Sequence, residues 1–101
     1  MEKYSVVWTS NALSDLSSCV SFVLKVSKEA ARELKNAFSL ASESLAFFPE
    51  KNPVFPTPKG FPFVLRKQVV NNRYLVLYTV EEEKVVVYRI LDVRRGFQQL
   101  M

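Results

Sequence analysis

An α+β domain in the order β-α-α-β-β-β, a helix hairpin packed on a small antiparallel-rich sheet, is what this sequence predicts. Three observations predict it: a short β-branched segment at the start, two consecutive stretches with apolar residues at helical spacing, and three β-rich runs divided by two tight turns. At 101 residues, 49% apolar and 24% charged, the chain has the size and composition of one domain, spanning 1–101, able to build a core without disulfides.

Residues 4–9 (YSVVWT) are β-branched and aromatic and end in a Thr-Ser-Asn cluster, which reads as the first strand. Ser10 or Asn11 can cap the helix that follows, where Leu13, Leu16, Val20, Val23 and Leu24 form one apolar stripe. Ser27 can cap a second helix, with Glu29 in its first turn and a stripe at Ala31, Leu34, Phe38, Ala41, Leu45 and Phe48; Pro49 ends it. The two stripes predict an antiparallel hairpin lying on a sheet. All five prolines fall between positions 49 and 62, so this stretch is expected to be a long, stiff loop with no regular element, pinned to the body by Phe55, Phe61 and Phe63. Three strands follow, at 63–70, 73–80 and 84–92, joined at Asn71-Asn72 and at Glu81-Glu82-Glu83. The last two strands are apolar on both faces and therefore belong inside the sheet or face a partner. The first strand is expected to join the meander, and if it lies parallel to a neighbour the helix pair is the crossover.

Composition excludes several kinds of chemistry. There is no histidine and one cysteine, Cys19, so the usual zinc sets and any Ser-His or Cys-His relay are out of reach, and Cys19 reads as a small core or boundary residue. Gly60 and Gly96 are the only glycines, which rules out a glycine-rich phosphate loop, and no spaced acidic cluster could hold Mg²⁺ or Ca²⁺; neither cofactor nor metal is expected. No apolar run approaches the roughly 20 residues that span a bilayer, and the start of the chain lacks the layout of a secretion signal, so a cytoplasmic protein without a membrane partner is expected.

The net charge of +4 is uneven. Residues 1–50 carry five cations against six carboxylates, and residues 51–101 carry nine against four. A basic half of this sort favours a polyanionic partner or simply keeps the protein soluble. Arg66 and Arg89 each interrupt a strand where burial would be easy, and two readings stand for both: a salt bridge or an edge-facing guanidinium, or else a phosphate or carboxylate contact on the open face of the sheet. Arg94 and Arg95, with Phe97, could bind nucleic acid by charge and stacking, or form a solvated tail.

Three segments together carry a family resemblance: YSVVWTSNALSDL, then SKEAARELKNAF with SLAFFPEKNPV, then RYLVLYTVEEEKVVVYRILDVRR. In this order and at this length the chain resembles the RelE/ParE superfamily of toxins from type II toxin–antitoxin modules, which include plasmid stabilisation proteins. The resemblance implies a bacterial or archaeal growth inhibitor held silent by a cognate antitoxin, able to self-associate when the antitoxin is absent. Its members divide into mRNA interferases that cut in the ribosomal A site and poisons of DNA gyrase that are not nucleases. Cutting RNA requires the 2′-OH to lose a proton, the 5′-oxygen to gain one, and cations to stabilise the phosphorane between them. Here Leu75 stands where the best-known cutters carry a catalytic Arg, Asp92 stands where many carry a His, and the C-terminal stretch that should supply a Tyr or His reads Phe97-Gln98-Gln99-Leu100-Met101, although Arg95 matches the arginine after the last strand. These departures favour a ParE-like gyrase poison, with Arg94, Arg95 and Phe97 as the residues facing the target. If the chain is an enzyme, it is a metal-independent endoribonuclease with Lys59, Arg66, Lys67 and Arg95 as candidate catalytic cations and Tyr78 and Tyr88 as fallback acids. The third reading is an inactive antitoxin-binding homologue.

Overall fold

The computed structural model describes residues 3–95. The first strand, β1 (Ser5–Trp8), leads into α1 (Ser10–Leu24), and a short turn leads into α2 (Lys28–Leu45). Thr9, rather than Ser10 or Asn11, caps α1: its hydroxyl accepts from the Ala12 N–H at 3.1 Å and donates to the Tyr88 carbonyl at 3.0 Å. One residue thus satisfies a helix end and ties it to a strand 79 positions away. Ser27 caps α2 as predicted, accepting from the Ala30 N–H at 3.0 Å. That helix stops at Leu45, before Pro49, because Phe48 turns left-handed (φ 51°) and Pro49 opens a 3₁₀ turn (Pro49–Lys51).

Four more strands follow: β2 (Val54–Phe55), β3 (Leu65–Val70), β4 (Tyr74–Glu81) and β5 (Lys84–Asp92), with a last 3₁₀ turn at Val93–Arg95. The five strands form one sheet in the order β1-β5-β4-β3-β2, in which β1 runs parallel to β5 and every other pair is antiparallel. The helix pair is therefore the crossover that a parallel neighbour requires. The proline-rich stretch was expected to hold no regular element, yet it contains the 3₁₀ turn and β2. Pro53 and Pro56 flank β2, and prolines are tolerated at a sheet edge where no ladder hydrogen bond is lost. Asn71 and Asn72 both sit at φ 53° in the β3–β4 turn, a conformation asparagine accepts more readily than most residues.

The sheet is packed on both faces. On the helix side, Leu34, Phe38 and Leu45 of α2 and Ala12 of α1 meet Val76, Tyr78, Val85, Val87 and Ile90. On the other side, Phe55 of β2 joins Leu65, Leu75, Leu77 and Leu91, with Phe61 and Tyr88 packed against them. The register accounts for the second cluster. Leu77 faces Arg89 while Tyr78 faces Val87, so Tyr88 is the extra residue of a bulge in β5. The bulge turns Tyr88 toward the proline-rich loop, where it meets Phe61 and Phe63 edge to face at centroid distances of 5.9 and 5.4 Å. Among the described residues no helix is long and apolar enough to cross a membrane.

Candidate functional site

The described basic residues of the C-terminal half have different partners. Arg89, expected either in a salt bridge or on a ligand, is in a salt bridge. Its Nε donates to Asp15 Oδ2 at 2.7 Å and its Nη2 to Oδ1 at 3.1 Å. The same Asp15 oxygen accepts the Ile90 N–H at 2.9 Å. Strand β1 ends at Trp8, opposite Val87, so beyond that point no strand among the described residues lies beside the edge of β5; α1 lies there and Asp15 supplies an acceptor. The ion pair holds the Arg89 proton more firmly than in a free arginine, chiefly through the hydrogen bond to Asp15 and against the opposing effect of burial.

Arg66 is also engaged. Its Nη1 donates to the main-chain carbonyls of Asn52 at 2.6 Å and Glu50 at 3.2 Å, clasping the start of the proline-rich loop against β3. Lys67, one position along β3, is half-buried and faces Leu77 across the strand pair, while Lys59 is exposed on the loop. Arg94 is exposed, and its N–H donates to Asp92 at 3.0 Å. The Arg95 side chain and Phe97 lie outside the described residues. Lys59, Arg66, Lys67 and Arg89 thus come from four different settings, and the two arginines among them are bound to the protein itself.

Leu75 and Asp92, the departures from the expected RNA-cutting pattern that lie among the described residues, and the fallback acid Tyr88 all have structural roles. Leu75 is buried in the second core between Val69 and Leu91 of the flanking strands. Asp92, 5% exposed, takes Arg73 Nη2 at 3.0 Å and Nε at 3.3 Å besides the Arg94 N–H. Arg73 in turn lies over the Tyr74 ring, 5.1 Å from its centroid. Tyr88 is held in the aromatic cluster described above.

Tyr78, the other fallback acid, is fully buried. Its hydroxyl donates to the Pro49 carbonyl and accepts from Asn52 Nδ2 at 3.0 Å, and the same Asn52 nitrogen donates to Gln68 at 2.8 Å. Sequence reasoning missed this network, since no local pattern links positions 49, 52, 68 and 78. Burial pushes the Tyr78 hydroxyl above its ordinary value, only partly opposed by the hydrogen bond from Asn52. An unfolded chain therefore ionises this tyrosine first. Its stabilising contribution is complete below the ordinary tyrosine value of about 10 and is lost as pH rises above it. Tyr78→Phe is expected to cost about 1–2 kcal/mol at neutral pH and to flatten the alkaline loss of stability, leaving the part due to Tyr74, which burial also raises. Urea unfolding between about pH 8 and pH 11 measures both, and parallel curves for the two proteins would contradict the assignment.

Comparison with known proteins agrees with this architecture. Residues 6–97 match the family model described as the ParE toxin of the type II toxin-antitoxin system, parDE. A solved structure described as the chromosomal ParDE TA system from P. aeruginosa has the same fold, with a TM-score of 0.72 and 18% identity over 90% of this chain and 97% of that one. A search of curated proteins gives no match.

Proposed function

The chain belongs to the ParE toxin family of type II toxin–antitoxin systems, and on that premise we propose that it arrests growth by poisoning DNA gyrase, without cutting nucleic acid, until a cognate antitoxin covers it. The observation that carries this reading is the second core. A sheet face that cuts RNA must present cations and a proton donor to a phosphate. Here that face is filled by Leu65, Leu75, Leu77 and Leu91 under Phe55 and Phe61. Arg66 and Arg89, on strands of this sheet, are spent on loop carbonyls and on Asp15, and Lys67 is half-buried on β3. The exposed cation that follows the last strand, Arg94, then belongs to the surface that meets the target, together with Arg95 and Phe97. The cognate antitoxin is expected to carry excess acidic charge on an amphipathic helix or an added strand.

Tightly induced expression with parallel pulse-labelling of DNA and protein synthesis tests the proposal. DNA synthesis is expected to fall first. Protein synthesis falling first would mean mRNA cleavage, and unchanged rates with soluble protein present would mean an inactive antitoxin-binding homologue. Deleting residues 94–101 is expected to abolish growth arrest while the purified protein keeps its circular dichroism spectrum. Full toxicity after that deletion would remove the tail from the mechanism.

A further inference from the structure

Phe55 and Phe61 cover the second face of the sheet as far as Tyr88. Between that cover and the β4–β5 turn lies a cavity of about 600 Å³, lined by Phe63 and Val64 of the loop, Thr79 and Glu81 of β4, and Val86 and Tyr88 of β5. Thr9, the cap of α1, also lines it. The bulge in β5 is what brings Tyr88 to this place, and bulges commonly re-aim a side chain beside a site.

Two of the walls are aromatic. Phe63 and Tyr88 stand at 80° to each other with centroids 5.4 Å apart, so the two rings make a corner. Phe63 and Val64 are exposed, and this apolar rim therefore faces the cavity and solvent rather than either core. Glu81 is the one charged side chain among the described residues that line the cavity. It is exposed, and no salt bridge among the described residues engages it. Lys84, its partner across the hairpin, does not line the cavity.

We propose that this cavity binds a small organic cation, an ammonium group carried on an aromatic or branched alkyl body. Sites for small molecules enclose roughly 300–1,000 Å³ and are walled by apolar and aromatic side chains with a few polar groups that fix orientation. The corner of Phe63 and Tyr88 offers ring electrons to a positive charge, and Glu81 offers it a carboxylate. The body of the ligand lies against Val64 and Val86. Charge selects this occupant. An anion is repelled by Glu81, and a neutral apolar molecule covers the carboxylate without compensating it. For the same reason an acid-rich antitoxin segment is a poor fit here, although the net charge of the whole protein is +4. The proposal does not depend on the target of the toxin.

Titration of the full chain followed by amide NMR tests it, with three probes of similar size: 2-phenylethylammonium, 2-phenylethanol and phenylacetate. The ammonium is expected to shift Val64, Thr79, Val86 and Tyr88 saturably and to bind at least about fivefold more tightly than the alcohol, with no saturable effect of phenylacetate. Glu81→Gln is expected to bring the affinity for the ammonium down to that for the alcohol. Glu82→Gln, also exposed in the same turn but outside the lining, is expected to change it by less than about twofold. Both positions are on the surface, so both variants keep the fold. Equal affinities for the ammonium and the alcohol, saturable binding of phenylacetate, no saturable shift with any probe, or shifts confined to residues away from the cavity would each overturn the proposal. So would a Glu82→Gln variant that loses as much affinity as Glu81→Gln.

Discussion

Leu75→Arg is expected to unfold the protein rather than to give it an RNA-cutting arginine. Leu75 is 6% exposed, on a strand with neighbours on both sides, and packs among Phe55, Leu65, Leu77 and Leu91. Among the described residues the one buried carboxylate is Asp92, which is already paired with Arg73. A guanidinium placed there must keep its charge, since arginine does not deprotonate, and it must either stay unpaired in an apolar core or push the loop off the sheet. Either route costs more than about 4 kcal/mol, against a total stability of about 5–15 kcal/mol for a domain. Leu75→Ala creates a cavity without a charge and is expected to cost about 2–5 kcal/mol. Urea unfolding separates the two variants. A folded Leu75→Arg protein with a midpoint close to that of wild type would show that the second core opens easily, and it would revive the sheet face as a nucleic-acid surface.

Asp15→Ala is expected to have the next largest effect. The substitution removes both hydrogen bonds to Arg89 and leaves the Ile90 N–H without its acceptor, on side chains that are only 18% and 25% exposed. Leaving a half-buried guanidinium and a strand N–H unsatisfied should cost about 2–4 kcal/mol. Arg89→Met is milder, at about 1–2 kcal/mol, because Asp15 keeps its bond to Ile90 and the methionine stem still packs. In a double-mutant cycle the pair should couple by more than about 1 kcal/mol. A loss below about 0.5 kcal/mol for Asp15→Ala would mean that water replaces the carboxylate at this edge and that the contact of α1 with β5 rests on packing alone.

Much of the fold was legible in the sequence because it follows from local periodicity. The two helices, the Ser27 cap and the three strands of the meander appear where spacing and turn residues put them, although Leu13 and Leu24 of the first predicted stripe and Phe48 of the second are exposed and Ala12 is the buried residue of α1. The family was legible from the order of those segments. The errors fell where the deciding contact is distant in sequence. Thr9 takes the cap from Ser10 and Asn11 because its hydroxyl also reaches Tyr88, and β2 forms because Phe55 finds Leu65 across the edge of the sheet. Of the candidate site residues, Arg66 and Arg89 were recognised as charges that needed compensation, but the compensating groups, loop carbonyls and a helix carboxylate 74 positions away, leave no local signature.

From the sequence alone came the element order, the absence of histidine chemistry, the basic C-terminal half and the departures at Leu75 and Asp92, since each depends on which residues are present and how they are spaced. Only the tertiary structure decided that the sheet is covered on both faces, that Arg66 and Arg89 are occupied, and that β1 is an end strand of the sheet among the described residues. Those three outcomes depend on which distant groups meet, and local patterning in the chain does not encode that.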